Sequence, residues 1–349
     1  MLPTEFADRL LAWFRRHGRH DLPWQHPRSP YRVWLAEVML QQTQVSTVIP
    51  YFQRFVAALP GLPELAAASE ERVLALWSGL GYYRRARHLH QAAQVCVQRH
   101  GGELPDDRRA LQALPGIGRS TAAAIRAQAF DRPDPILDGN VKRVLCRLFA
   151  VQGWPGEAQI ERQLWALAEQ LMPARQCADY TQAIMDFGAT LCTHAKPACE
   201  SCPLSSACRA HLDARVEHLP TARPRRPSPR RECVMLVLHD AKGRVLMQRR
   251  DGPGVWQGLW SLPQFDGMQQ AGEQAQALDA ETPGELLAPI EHAFTHYRLR
   301  IRPWRARCPE AAPRIGDNPA LRWIHRAELL DTAIPAPVRR LLAQIKEFH

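Results

Sequence analysis

The chain has 349 residues of ordinary apolar content, enough for two or three domains that each build a core, and no apolar run approaches membrane-spanning length. Its N-terminus, Met1-Leu2-Pro3-Thr4-Glu5-Phe6, lacks the basic and apolar regions of a secretory signal, so a cytoplasmic location is expected and a disulfide framework of the nine cysteines is not. A formal net charge of +10 and a pI near 9.5 suit a polyanionic partner, without separating nucleic acid from a membrane surface.

From Thr4 to about Ala210 apolar residues recur at three- and four-residue steps, and Pro and Gly punctuate the joins, which predicts helices throughout. Ser29-Pro30 is a helix start, with Ser as N-cap and Pro in the first turn. The helix that follows, Tyr31 to Gln42, is apolar nearly all round and should be buried. Glu37 sits within it. Val33, Trp34, Leu40 and Gln41 share its face, so no basic partner lies one turn away. Apolar surroundings raise a carboxyl's pKa, which suits a general acid; the alternative is a Glu bonded to a distant Arg.

Gly79-Leu80-Gly81-Tyr82-Tyr83-Arg84-Arg85-Ala86-Arg87 combines glycine turns, paired aromatics and basic residues, a pattern suited to bases and phosphates. The plainer alternative is a helix start with one tyrosine in the core. Leu114-Pro115-Gly116-Ile117-Gly118-Arg119-Ser120-Thr121 reads as a tight turn between two short helices over 106–130. Asp106 and Asp107 are expected to cap the first helix. Gly116 and Gly118 are expected to supply positive φ and to bare backbone N–H groups at the second helix's start, where a phosphate binds well. An ordinary helical corner has the same local pattern.

Asp138, in Leu137-Asp138-Gly139-Asn140-Val141-Lys142-Arg143, falls where an N-cap belongs, and the positive end of a helix favours its ionised form. Two carboxyls in opposite environments, Glu37 neutral and Asp138 charged, suit cleavage of a glycosidic bond. Cys192, Cys199, Cys202 and Cys208 are spaced C-x6-C-x2-C-x5-C, a strong metal signal that spacing alone divides between zinc and an iron–sulfur cluster. The other five cysteines are read as small core residues.

Residues 211–230 form a linker whose Pro/Arg-rich part, Thr221 to Arg231, has three prolines, five arginines and no acid. Beyond it the period changes to two. Cys233–Leu238, the turn Asp240–Gly243 and Val245–Gln248 predict a hairpin, alternation continues over His292–Ile301, and a helix from about Pro337 closes an α/β domain at 231–349.

These motifs, with Trp34-Leu35-Ala36-Glu37-Val38-Met39-Leu40-Gln41-Gln42-Thr43-Gln44-Val45 and the four cysteines, resemble the helix-hairpin-helix DNA glycosylases of the endonuclease III superfamily, and within it the adenine DNA glycosylase branch. The resemblance covers nearly the whole chain. It implies an all-α glycosylase domain at 1–210, built as a six-helix barrel plus a cluster domain in which the cysteines hold one [4Fe–4S] cluster, followed by an α/β Nudix-like domain. It implies a base-excision-repair enzyme that flips adenine mispaired with 8-oxoguanine, or with G, out of double-stranded DNA. Glu37 would then protonate adenine N7 and Asp138 would meet the oxocarbenium ion.

The same resemblance places Gln42, Thr43, Leu80, Gly81, Tyr82, Gly116, Gly118 and Ser120 on DNA, and aligns Leu22, Trp24 and Gln182 with the adenine pocket. Lyase relatives carry a lysine at position 120. Ser120 forms no Schiff base, so the expected enzyme is monofunctional. Residues 258–280 hold only the isolated acids Asp266, Glu273 and Asp279, not the Glu-rich box that binds Mg²⁺ beside a diphosphate. The second domain is instead expected to read 8-oxoguanine through Phe294-Thr295-His296, and Thr295 keeps the hydroxyl of the serine common there. A monomer associated with a bacterial-type nucleoid is expected. The competing readings are a pyrimidine-damage glycosylase-lyase, which Ser120 opposes, and a non-enzymatic DNA sensor, which a buried unpaired acid opposes.

Overall fold

The computed structural model describes residues 2–224, 227–281, 283–308 and 318–345. Contacts divide the chain into two compact units, one of residues 1–67 and 88–225 and one of residues 68–87 and 226–349. The helical stretch 68–87 thus groups with the C-terminal domain, whereas the sequence pattern runs the helical domain unbroken over 1–210. Linker residues Arg225 and Arg226 lie outside the described residues.

The first unit is helical, as the periodicity predicts. It begins with α1 (Pro3–His17), α2 (Pro30–Leu40), α3 (Val45–Ala58) and α4 (Leu62–Ala67). The stretch α5 (Glu70–Trp77) belongs to the second unit, and α6 (Arg84–Arg99) starts there and continues into the first. The first unit resumes with α7 (Arg108–Ala113), α8 (Arg119–Phe130), α9 (Gly139–Leu148), α10 (Ala158–Leu171), α11 (Cys177–Asp186) and the short α12 (Arg209–Leu212).

Ser29 caps α2 by accepting from Arg32 N–H at 3.3 Å, with Pro30 at the first position. Seven of the eleven α2 residues are buried, so the helix is central, packing on α8 and α3. A second core joins α1 (Phe6, Leu10, Phe14), α9 (Val141, Leu145) and α11 (Tyr180, Ile184). The last turn of α11 widens into a π-helical turn at Phe187–Leu191, an irregularity often found at functional sites.

The C-terminal domain is a mixed sheet. Its strands are β1 (Arg230–Asp240), β2 (Arg244–Arg249), β3 (Trp260–Ser261), β4 (Gln264–Phe265), β5 (Glu285–Leu286), β6 (Ile290–Ala293), β7 (Arg298–Cys308) and β8 (Leu321–His325), with α13 (Met268–Ala277) after β4 and α14 (Ala336–Gln344) last. The central order is β3-β2-β1-β7-β5; β8 joins β2 and β6 joins β7. The long β1 and β7 run parallel over their whole length, from Arg230 opposite Arg298 to Asp240 opposite Cys308. The predicted β1–β2 hairpin is present, with His239 opposite Val245. The alternation over His292–Ile301 is not one strand: it folds back at Phe294–Tyr297, where Phe294 N–H donates to Tyr297 O at 2.8 Å. α13 covers β1 with Ala271 and Ala275, small residues that allow close approach.

Candidate active site

α2 carries Glu37 at the start of its last turn. The residue is half-buried: part of its surface stays accessible while protein crowds its carboxyl. Gln128, from the otherwise alanine-rich α8, donates Nε2–H to Glu37 Oε1 at 2.8 Å. Burial raises the Glu37 pKa to about 7, a rise the Gln128 bond opposes and the charge of Asp138 reinforces. The partner is an amide rather than an arginine, so the alternative of a Glu neutralised by a distant Arg does not hold.

Asp138 is the N-cap of α9, accepting from Val141 N–H at 2.7 Å and from Asn140 Nδ2–H at 3.0 Å. The expected direction of its pKa shift needs correction. Burial outweighs these bonds and the Arg143 charge, so the Asp138 pKa is raised rather than held low. The two carboxyls are shifted in the same direction.

Part of the support behind Asp138 comes from residues the sequence reading did not single out, Arg143 and Gly188. Arg143 donates to Asn140 Oδ1 at 2.8 Å, to Gly188 O at 2.6 Å and to Cys192 O at 2.8 Å. Gly188 lies so close to the start of α9 that a Cβ there would be 2.6 Å from Asn140 Cβ. On the other side, Ser120 Oγ accepts from Leu137 N–H at 3.1 Å, tying the glycine turn to the residue before Asp138. Lys142, next on α9, pairs with Glu161 at 2.6 Å.

In the turn itself Asp107 caps α7 through Ala110 N–H, as expected, but Asp106 does not cap. It pairs with Arg132 and Arg126, because two guanidinium groups from the far end of the hairpin reach it. Gly116 has φ +77, and a Cβ there would sit 2.7 Å from His88 Cβ. Gly118 has φ −88 and open space where its Cβ would be, so it is needed neither for positive φ nor for packing. It is the N-cap of α8 without a side-chain bond, which leaves the helix's first amides unfilled by a cap.

Leu22 and Trp24 are buried, Trp24 edge-on to Phe52. Gln182 is buried and donates to Asp186 Oδ1 at 2.7 Å, a carboxylate also bound by Arg19. Gln42 is exposed with φ +59, and Thr43 donates to Gln41 O. All these residues lie in the first unit. Leu80, Gly81, Tyr82 and Thr295 lie in the second. There Tyr82 is exposed and Tyr83 buried, as the plainer reading of that stretch has it for one of the two. Leu80, offered as a duplex probe, is also buried. Thr295 is exposed at the tip of the β6–β7 turn.

Cys192, Cys199, Cys202 and Cys208 line one cavity with Arg147, Phe187, Leu191 and Leu204. Among the described residues no three His, Cys, Asp or Glu side chains converge on a point that one ion would fill. Four thiols around one shared cavity can hold a metal centre. Buried Arg147 donates to Cys192 Sγ at 3.4 Å and to Thr193 O, His194 O and Leu219 O, charge suited to gathered thiolates. The remaining five cysteines are buried, as expected of core residues.

A family model described as HhH-GPD superfamily base excision DNA repair protein matches residues 35–170, and a NUDIX domain model matches residues 233–344. The adenine DNA glycosylase of Buchnera aphidicola subsp. Acyrthosiphon pisum is 32% identical over 98% of this chain and 98% of its own length. That of Rattus norvegicus is 34% identical over 99% of this chain and 78% of its own. The chain belongs to the adenine DNA glycosylase family. It is a DNA glycosylase of base-excision repair. The structure of a thermostable thymine-DNA glycosylase is 29% identical, with a TM-score of 0.56, over 60% of this chain and 97% of that one. This likeness covers the helical part. In this member of the family, α13 carries one acid, Glu273, which accepts from Gln269. No described helix is long and apolar enough to cross a membrane.

Proposed function

We propose that this enzyme binds double-stranded DNA as a monomer and excises adenine opposite 8-oxoguanine or G, leaving an abasic site. The observation that carries the reading is the Glu37 carboxyl, lifted to about 7 beside an N-capping Asp138. A group with that pKa is partly protonated near neutrality, so it can donate to adenine N7 as the glycosidic bond breaks. Asp138, held by Val141 N–H and Asn140, faces the oxocarbenium ion as that charge develops, and Ser120 supplies no amine for strand cleavage. Leu22, Trp24 and Gln182 line the pocket for the flipped base. The amides at Gly116, Gly118 and Ser120 take a phosphate, while Gln42, Thr43, Leu80, Gly81, Tyr82 and Thr295 meet the duplex around the opposing base.

The four cysteines, with Arg147 beside them, would hold one [4Fe–4S] cluster. When bound it would supply iron–thiolate links that tie the two ends of the 192–208 segment together. The functional division is a glycosylase domain at 1–210, a linker at 211–230 and a lesion-reading domain at 231–349, in a cytoplasmic, nucleoid-associated enzyme.

The test is one glycosylase assay on duplexes with A opposite 8-oxoguanine, A opposite T, and thymine glycol. Adenine release from the first alone is expected. Cleavage at thymine glycol, or strand scission without alkali, overturns the reading.

A further inference from the structure

Several of the contacts that join residues 68–87 to the C-terminal domain in one compact unit are made at a single turn. After α5 the chain passes through Gly79 at φ +101, Gly81 at φ +78 and Tyr82 at φ +51 before α6 begins at Arg84. Left-handed backbone at a tyrosine persists only where the surroundings over-determine it. Here they do. Trp77 Nε1–H donates to Gly81 O at 3.0 Å, and the buried Tyr83 hydroxyl accepts from Gly79 N–H at 3.2 Å.

The outer anchors of the turn come from the other end of the chain. Tyr83 donates to Ile334 O at 3.3 Å, and Arg339 Nη2 donates to Ser78 Oγ at 3.0 Å. The same guanidinium holds Thr332 O at 2.9 Å and Leu329 O at 3.0 Å, so it cross-links the stretch before α14 to Ser78. That stretch is fixed to the sheet: Trp260 N–H donates to Ala333 O at 3.0 Å, and Trp260 Nε1–H to Glu71 Oε1 at 3.1 Å. α14, which carries Arg339, also packs on β6, the strand that leads into the turn bearing Thr295.

We propose that Arg339, acting with Tyr83 and Ser78, is a positioning residue through which the C-terminal domain sets the 78–83 turn, and with it the exposed Tyr82 ring, for discrimination of the base opposite adenine. This rests on the reading above that the turn and Thr295 meet the duplex. A three-bond guanidinium is suited to the task because its planar fork holds several acceptors in fixed geometry.

The experiment compares single-turnover adenine release opposite 8-oxoguanine and opposite G for the wild type, Tyr82→Ala, Arg339→Ala, Arg339→Lys and the Tyr82→Ala/Arg339→Ala double variant. Arg339→Ala is expected to reduce the preference for 8-oxoguanine by about tenfold, equivalent to about 1.4 kcal/mol. Arg339→Lys, keeping a cationic donor, restores part of it. The double variant matches Tyr82→Ala alone, a non-additivity that general loss of stability does not produce. An unchanged preference in Arg339→Ala, or additive losses in the double variant, overturns the proposal. If Tyr82→Ala itself leaves the preference intact, the reading of the turn as a duplex contact falls instead, and the proposal with it. Should Arg339→Ala fail to fold, Tyr83→Phe decides: it removes the bonds to Gly79 and Ile334, keeps the buried ring, and is expected to lose preference in the same direction.

Discussion

Replacing Glu37 with glutamine tests both halves of the catalytic argument at once. The amide of the Glu37→Gln variant keeps an oxygen to accept from Gln128 Nε2–H, so the contact that orients the side chain survives, but there is no longer a proton to give. Loss of a general acid lowers the excision rate by about 10²–10⁴-fold, and lesion binding should persist. The same substitution has a signature in stability. The Glu37 pKa rises from 4.5 unfolded to about 7 folded. Between those values the folded chain binds more protons than the unfolded chain, so this group's contribution to stability falls as pH rises through the window and is flat on either side. The difference amounts to about 3 kcal/mol. Glu37→Gln should therefore gain stability over the wild type by up to that amount at about pH 8 and show no such gain at about pH 4. Urea denaturation of both proteins across pH reads it. A difference that does not change with pH would show that the Glu37 carboxyl lacks the environment argued for it, and retained turnover would remove it from the chemistry.

Ser120→Lys removes the acceptor for Leu137 N–H and places an amine in the turn; alkali-independent strand cleavage is expected on a denaturing gel, and its absence would mean that position 120 does not reach the sugar. The two glycines of the turn should behave differently. Gly116→Ala meets His88 at a positive φ and should cost about 1–3 kcal/mol in thermal or urea unfolding, whereas Gly118→Ala should leave stability within about 0.5 kcal/mol yet weaken DNA affinity, since its methyl occupies the space a phosphate approaches. Arg147→Ala strips the donor shared by Cys192 Sγ, Thr193 O, His194 O and Leu219 O; a loss of about 3 kcal/mol or more and a fall in bound iron by metal analysis are expected, and full iron with unchanged stability would refute its supporting role.

What the sequence made legible was local. Ser29, Asp107 and Asp138 are N-caps because each places a short acceptor at a helix start, and that pattern needs only a few consecutive residues. The β1–β2 hairpin and the cysteine-lined cavity follow from alternation and spacing in the same way. What escaped was set by residues distant in the chain. Asp106 reads as a cap until Arg126 and Arg132 arrive from the other end of the hairpin. Gly118 looks like a positive-φ residue because Gly116 is one, yet its role depends on open space that no local pattern records. Nothing in the local pattern of α8 marks Gln128, and only its register against α2 makes it the partner of Glu37. The grouping of residues 68–87 with the C-terminal domain was equally hidden, since it depends on Arg339 and Trp260.

The same distinction reshapes the catalytic pair. Burial raises both carboxyls, so burial does not decide which of them keeps the proton. The donors do. Asp138 has Val141 N–H, Asn140 and the Arg143 charge acting on its ionised form, against a single amide on Glu37. An ionised Asp138 in turn pushes the Glu37 pKa upward, so fixing the charge on one residue helps hold the proton on the other. Asp138→Asn should remove that push and lower the Glu37 pKa below about 7, which carbon-13 NMR of the Glu37 carboxyl would follow directly in the absence of turnover. A midpoint that stays in place or rises would mean that the two groups are not coupled. The assignment of acid and stabiliser would then have to rest on geometry alone.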